Sequence, residues 1–177
     1  LEQIPAELYE ATLRRLSRQE RDLVDVLCVS MESMTRSDLV KVASPLDLLD
    51  MEGRRLSVKH AESMLSGLIE RGLVVQSGGG YSVVATLRHC EVKRLESGRF
   101  AKFADAIRAR FPLMERVTPE RYKRNLWHAV LRADEAEFRR DLEQVQAKWG
   151  ARPGLWLTKV LPFDPLANVR GNRCWSP

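Results

Sequence analysis

The chain has 177 residues, 44% of them hydrophobic and 30% charged, and carries a formal net charge of +5. That balance belongs to a folded globular chain, not a disordered one, and the length allows one good core or a small domain with a helical appendage. No apolar run approaches the roughly 18 residues that a membrane span needs, so no membrane partner is expected. Cys28, Cys90 and Cys174 are an odd number without short spacings, which excludes a self-contained disulfide framework and a Cys-x-x-Cys metal or redox site. A reducing, cytoplasmic setting is the expectation.

Charge is unevenly spread. Through Leu87 there are 10 Lys and Arg against 13 Asp and Glu, a net of −3; from Arg88 onward 19 stand against 11, a net of +8. Affinity for nucleic acid depends on local neutralisation of phosphates, so the basic second half is the stronger electrostatic candidate. The chain opens on Leu1, and its last segment, Arg170 to Pro177, reads as interrupted in mid-course. A piece of a larger protein is expected.

In chain order, a short helix is predicted within residues 1–16, opening at Pro5 with Ile4, Leu8, Thr12 and Leu16 along one side. Ser17-Arg-Gln-Glu20 has the capping-box pattern, and the helix it opens turns Leu23, Val26 and Leu27 inward, with Val24 and Cys28 broadening the stripe. Thr35-Arg-Ser-Asp38 caps a second helix through Leu39, Val40 and Val42. Ser44 to Leu56 reads as an insertion that folds back on the core through Leu46, Leu48, Leu49 and Met51. Ser57 then caps a helix whose Val58, Ala61, Leu65, Leu68 and Ile69 make one apolar stripe, stopped at Gly72. Two β-branched runs flank Gly78-Gly79-Gly80, a hairpin signal with a permissive tip.

Beyond the hairpin, Phe100, Phe103, Ala104, Ile107 and Phe111 recur at helical spacing, and Pro112 ends that helix. Thr118-Pro119 starts another, through Tyr122, Leu126 and Val130. Asp134 caps a last one, with Phe138, Leu142, Val145 and Trp149 inward and Gly150 as its stop. The two form a helical hairpin joined at Ala133-Asp134, with Glu135 and Arg139 as a surface pair. From Arg152 prolines break any pattern, although Leu155, Trp156, Leu157, Val160, Leu161 and Phe163 are too apolar for a solvated tail.

No phosphate-loop motif, dinucleotide fingerprint or Gly-x-Ser-x-Gly elbow is present, and His60, His89 and His128 lack carboxylates at metal-ligand spacing. Neither catalysis nor a cofactor nor a metal is expected within these residues.

A helix ending in Ile69-Glu-Arg-Gly-Leu-Val74 and running straight into a hairpin resembles the recognition helix and wing of a winged-helix domain. The resemblance covers Ser17 to Thr86. The run Leu13 to Leu27, followed by this module and helical hairpins, also resembles the region beside the motor of large ATPases: bacterial Swi/Snf-like helicases and signal-transduction ATPases with numerous domains. The fold class expected is mainly α with a small antiparallel β-hairpin, a winged helix followed by a helical extension. Its divisions are 1–87, a basic extension at 88–150, and an irregular apolar segment at 151–177.

The resemblance implies a non-catalytic accessory module of a nucleic-acid-acting protein, with DNA preferred to RNA and other domains of the parent as partners. Lys59, His60 and Ser63 would approach bases, and Arg54 and Arg55 would hold phosphates. The basic segment adds Arg88, Lys93, Arg94, Arg99 and Lys102, then Arg121, Lys123 and Arg124, where Tyr122 and Trp127 are interleaved for stacking on single-stranded bases. Two features depart from the DNA-binding pattern: Glu62 and Glu70 would lie near phosphates, and the hairpin tip has no Arg or Lys. They favour a second reading, a protein-interaction or regulatory domain that docks on an ATPase through the face carrying Ser63, Ser66 and Gly67. A third is a dimeric transcription regulator that pairs through the Phe100–Phe111 helix.

Overall fold

The structure is a computed structural model, and it describes residues 11–85, 87–88, 95, 97–112 and 118–149. It is mainly helical with one two-stranded antiparallel hairpin, and it divides into two compact units, Leu1–Pro112 and Leu113–Pro177.

In the first unit, helix α1 (Arg18–Ser30) is the central element. Its capping box is made as the sequence implies: the Glu20 amide donates to Ser17 Oγ at 3.2 Å, and the Ser17 amide donates to Glu20 Oε2 at 2.9 Å. Every residue from Asp22 to Ser30 is buried, because α2 (Arg36–Ala43), α4 (Ser97–Arg110) and the hairpin all pack around it. Burying each of Leu23, Leu27 and the like is worth about 1.5–3 kcal/mol before chain entropy is counted.

Helix α2 is capped by Thr35, whose hydroxyl accepts from the Asp38 amide at 3.2 Å, and it buries Leu39, Val42 and Ala43. A single 3₁₀ turn (Ser44–Leu46) follows. The loop then doubles back, with Leu49 bridged to Arg55. Leu46 and Leu48 are buried as expected, whereas Leu49 and Met51 are exposed: the doubled-back loop seats only alternate side chains on the core.

Helix α3 (Val58–Glu70) starts at Ser57, which accepts from the His60 amide at 3.2 Å. Its buried stripe is Ala61, Met64, Leu65 and Leu68. Val58 is 46% exposed and Ile69 half-buried, so the stripe begins one turn later than its apolar spacing suggests, and Met64 belongs to it. The helix ends in a two-bond stop. The Gly72 amide donates to Ile69 O at 2.9 Å and the Leu73 amide to Leu68 O at 3.0 Å, with Gly72 at φ +70°.

Leu73 leads directly into β1 (Val74–Ser77), which pairs with β2 (Gly80–Val83) in the register Val74 to Val83 and Ser77 to Gly80. The turn is Gly78-Gly79 alone, both at positive φ, the two-residue form whose twist matches the strands. Gly80 is already strand. It is buried, and a Cβ there would run into the Ser33 hydroxyl and stand 3.1 Å from Ser33 Cβ. On the other edge of β2, Met34 and Tyr81 exchange both backbone hydrogen bonds, 2.8 and 3.0 Å, which adds a one-residue third strand.

Helix α4 buries Phe100, Phe103, Ala104 and Ile107, and Phe111 beyond it is half-buried. It packs on α1, α2 and the 3₁₀ turn, so this helix, which the sequence groups with the extension, lies within the first unit.

The second unit contains α5 (Pro119–Leu131) and α6 (Glu135–Trp149), packed together as a helical hairpin. Thr118 caps α5, and Asp134 caps α6 by accepting from the Glu137 amide at 2.9 Å. Between them Ala133 takes φ +53°, and the Asp134 amide bonds Ala129 O at 2.9 Å, closing the same kind of stop that Gly72 makes. Phe138 and Leu142 are half-buried, not fully inward. Of the predicted N-terminal helix, residues 11–14 are helical, with Leu13 buried and Thr12 and Leu16 only half-buried; its part through Leu8, the Gly150 stop and the apolar segment at 151–177 lie outside the described residues.

Candidate interaction site at the start of helix α3

Asp50 organises the surface around the α3 N-terminus. Its residue is 2% exposed, and its Oδ1 accepts the amides of Glu52 and Arg54, both at 2.9 Å. Its Oδ2 takes Arg54 Nε at 3.3 Å and lies 2.5 Å from His60 Nδ1. The opposite ring nitrogen, His60 Nε2, is 3.1 Å from Arg54 Nη2, and Arg54 also pairs with Glu52. Desolvation pushes the Asp50 carboxyl up. The two amides and the Arg54 guanidinium outweigh it and hold the group below its ordinary value.

Two residues expected to face nucleic acid, Arg54 and His60, are thus folded onto the protein's own carboxylate. Arg54 keeps an exposed side chain, but its charge is already matched by Asp50 and Glu52. Arg55, Lys59 and Ser63 are exposed, as the sequence implies. Glu62, on the same helix, pairs with Arg36 of α2, and the Ser66 hydroxyl bonds back to Glu62 O at 3.0 Å. At the far end of α3, Arg71 reaches Glu20 at 2.8 Å. Burial raises the Glu20 carboxyl, but the Ser17 bonds and Arg71 bring it net below its ordinary value.

Within the first unit, part of the basic segment is engaged by the chain's own carboxylates. Arg99 is clamped to α1: its Nη2 lies 2.5 Å from Asp22 Oδ1 and 2.7 Å from Asp25 Oδ2, and its Nε donates to Asp25 at 3.1 Å. Its guanidinium also stands 4.9 Å over the Phe103 ring. Desolvation opposes its charge, but the two aspartates prevail and raise its pKa. Arg88 is half-buried; desolvation lowers its pKa, only partly countered by the Cys28 thiol, and an arginine remains cationic. Lys102 is exposed. Lys93 and Arg94 lie outside the described residues.

In the second unit the stacking arrangement is not formed. Tyr122 is fully buried with its hydroxyl donating to Asp141 O at 2.5 Å, and Trp127 is buried as well, so neither ring offers a face to a base. Burial and the Asp141 charge push the Tyr122 hydroxyl above its ordinary value. Arg124 is fully enclosed, with Nε and Nη2 donating to Asn125 Oδ1 at 3.1 and 2.9 Å, and Arg121 is buried; Lys123 is half-buried. The reason is the helical wheel: α5 buries nearly its whole circumference from residue 121 to 129, polar positions included.

Asp50 itself was missed as a site residue. Its signal in the sequence is an acidic residue just before a Gly-Arg-Arg turn, the composition of a carboxylate-capped loop. Among the described residues no group of three or more His, Cys, Asp or Glu is placed to hold a metal ion, and no helix is long and apolar enough to cross a membrane. Comparison with protein-family models, with curated proteins and with solved structures gave no match in any of the three.

Proposed function

We propose that the first unit is a winged-helix module that works by docking on protein and not by reading nucleic acid. The winged-helix reading is supported by the order α1, Met34 bridge, α2, α3, hairpin, in which the bridge supplies the short third strand beside the wing. The docking reading rests on one observation: Arg54 and Arg99, two of the cations expected to meet phosphates, are already paired with the protein's own carboxylates. Arg54 serves Asp50 and Glu52, Arg99 serves Asp22 and Asp25, and Arg36 serves Glu62. With α4 counted in, the unit has 17 Lys and Arg against 16 Asp and Glu, close to neutral.

The competing reading, DNA contact by the same module, keeps Arg55, Lys59 and Lys102 as exposed cations. Three phosphate contacts give a salt slope of about −3, against six to ten contacts for tight binders. A partner such as the motor of a larger ATPase fits the resemblance in element order. Titrating labelled duplex and single-stranded DNA at two salt concentrations tests the proposal. The expected result is no saturable binding even at low salt; salt-dependent binding lost on Lys59→Glu would overturn it.

A further inference from the structure

His60 stands between two groups that make opposite demands on its ring. Nδ1 is buried and lies 2.5 Å from Asp50 Oδ2. On the other edge, Nε2 lies 3.1 Å from Arg54 Nη2. A guanidinium has donors and no acceptor, so that contact is a hydrogen bond only when Nε2 is bare and accepts. A neutral imidazole then carries its one proton on Nδ1, the edge turned to the carboxylate. The arrangement requires an uncharged ring.

Asp50 and Arg54 reach the ring from the doubled-back loop, and Glu52 of the same loop pairs with Arg54. Along α3 the nearest charges are Lys59, which is exposed, and Glu62, which pairs with Arg36 of α2. Burial opposes ionisation of Asp50, but its two amides and Arg54 outweigh that and hold its carboxyl below the ordinary value. The carboxylate is therefore still ionised in mild acid, where an imidazole takes up its second proton. The His60 side chain is 35% exposed, so water can deliver that proton.

A second proton lands on Nε2 and turns the acceptor into a donor. Two cationic N–H groups then oppose each other across 3.1 Å, while the attraction of Asp50 for the ring strengthens. Arg54 is the partner able to leave. Its Nε contact with Asp50 is long, 3.3 Å, its side chain is 57% exposed, and Glu52 offers it another carboxylate. The backbone stays, because Asp50 Oδ1 keeps the amides of Glu52 and Arg54. We propose that His60 is a proton-operated latch: neutral, it holds Arg54 against the loop; protonated, it takes over Asp50 and releases Arg54 to the surface. Any anionic group that meets the released guanidinium favours proton uptake at His60, and the proton favours that group equally. The latch goes beyond the docking reading and works whatever partner the module meets.

The test follows the whole isotope-labelled chain by NMR from about pH 8 down to about pH 5, the range in which imidazole titrates. At the alkaline end the His60 ring nitrogens should show the proton on Nδ1. On acidification the Arg54 Nε resonance should move with the same midpoint as the ring. Arg54→Ala removes the opposing donor and should raise the midpoint of the His60 titration by roughly half a unit, the size of an exposed pair interaction. A proton on Nε2 at the alkaline end overturns the proposal, as does an Arg54 resonance that stays still while the ring titrates. An Arg54→Ala midpoint that is unchanged or lower overturns it too. The first two measurements use the unaltered chain, and the third alters an exposed side chain, so loss of folding does not mimic any of these outcomes.

Discussion

Asp50 gathers its partners from within ten residues of itself, whereas Asp22 and Asp25 take theirs, Arg99, from more than seventy residues away. Both are carboxylates tucked beside a helix and met by arginine. They differ in what they hold together. The Asp50 set closes one loop, and two of its four contacts come from backbone amides that any residue but proline at 52 and 54 supplies. The Arg99 set fastens α4 to α1, and nothing but the folded chain brings those groups into reach. A local cluster shapes a surface; a distant one carries part of the fold's cohesion.

The sharpest way to break that contrast is Arg99→Ala. It removes the Arg99 ion pairs with Asp22 and with Asp25, the latter only 2% exposed, together with the ring contact with Phe103. Breaking a fully buried pair costs about 3–5 kcal/mol; because the Arg99 side chain is partly exposed, about 2 kcal/mol is expected here. Chemical denaturation with intrinsic fluorescence should show a lower midpoint at an unchanged slope. Asp25→Asn keeps the shape and one acceptor, and Arg99 retains Asp22, so about 1 kcal/mol is expected in the same measurement.

Asp50→Asn should separate the clusters by pH. The Asp50 carboxyl titrates below its ordinary 3.8, so its ionised form stabilises the fold above that value and the contribution is lost as pH falls through the lower folded value. Melting temperatures measured from pH 5 down to about pH 2 should therefore fall less steeply for Asp50→Asn than for the unaltered chain. Glu20, also held below its ordinary value, should retain its part of the slope in both proteins. The smallest effect belongs to Arg54→Ala. Its side chain is 57% exposed and Asp50 keeps both backbone amides, so less than about 0.5 kcal/mol is expected, a change at the edge of what thermal melts resolve.

The same division between near and far explains what could be read before any coordinates. Caps and stops are local chemistry, so Ser17 with Glu20, Thr35, Ser57, Gly72, Thr118 and Asp134 were all legible and all form. The Glu135–Arg139 pair, one turn apart, was legible for the same reason. Contacts across sequence were not. The Met34–Tyr81 bridge, the close approach of Gly80 to Ser33 and the capture of Arg99 by α1 leave no mark on spacing or composition. Burial of polar residues misled most: Arg121 and Arg124 read as cations open to nucleic acid, but α5 is enclosed on almost every side. Val58 misled in the opposite direction, since an apolar residue at a helix start satisfies the periodicity without having a neighbour to cover it.

The turn at Gly78-Gly79 offers something practical. Neither Cβ position there has an atom within 4 Å, while the very next residue is walled in by Ser33. A fluorophore, an affinity epitope or several extra residues grafted between the two glycines would project into water, tethered by strands whose pairing lies on the protein side of the graft. Lengthening by even a handful of lysines at that point would therefore extend the chain's reach without entering the core.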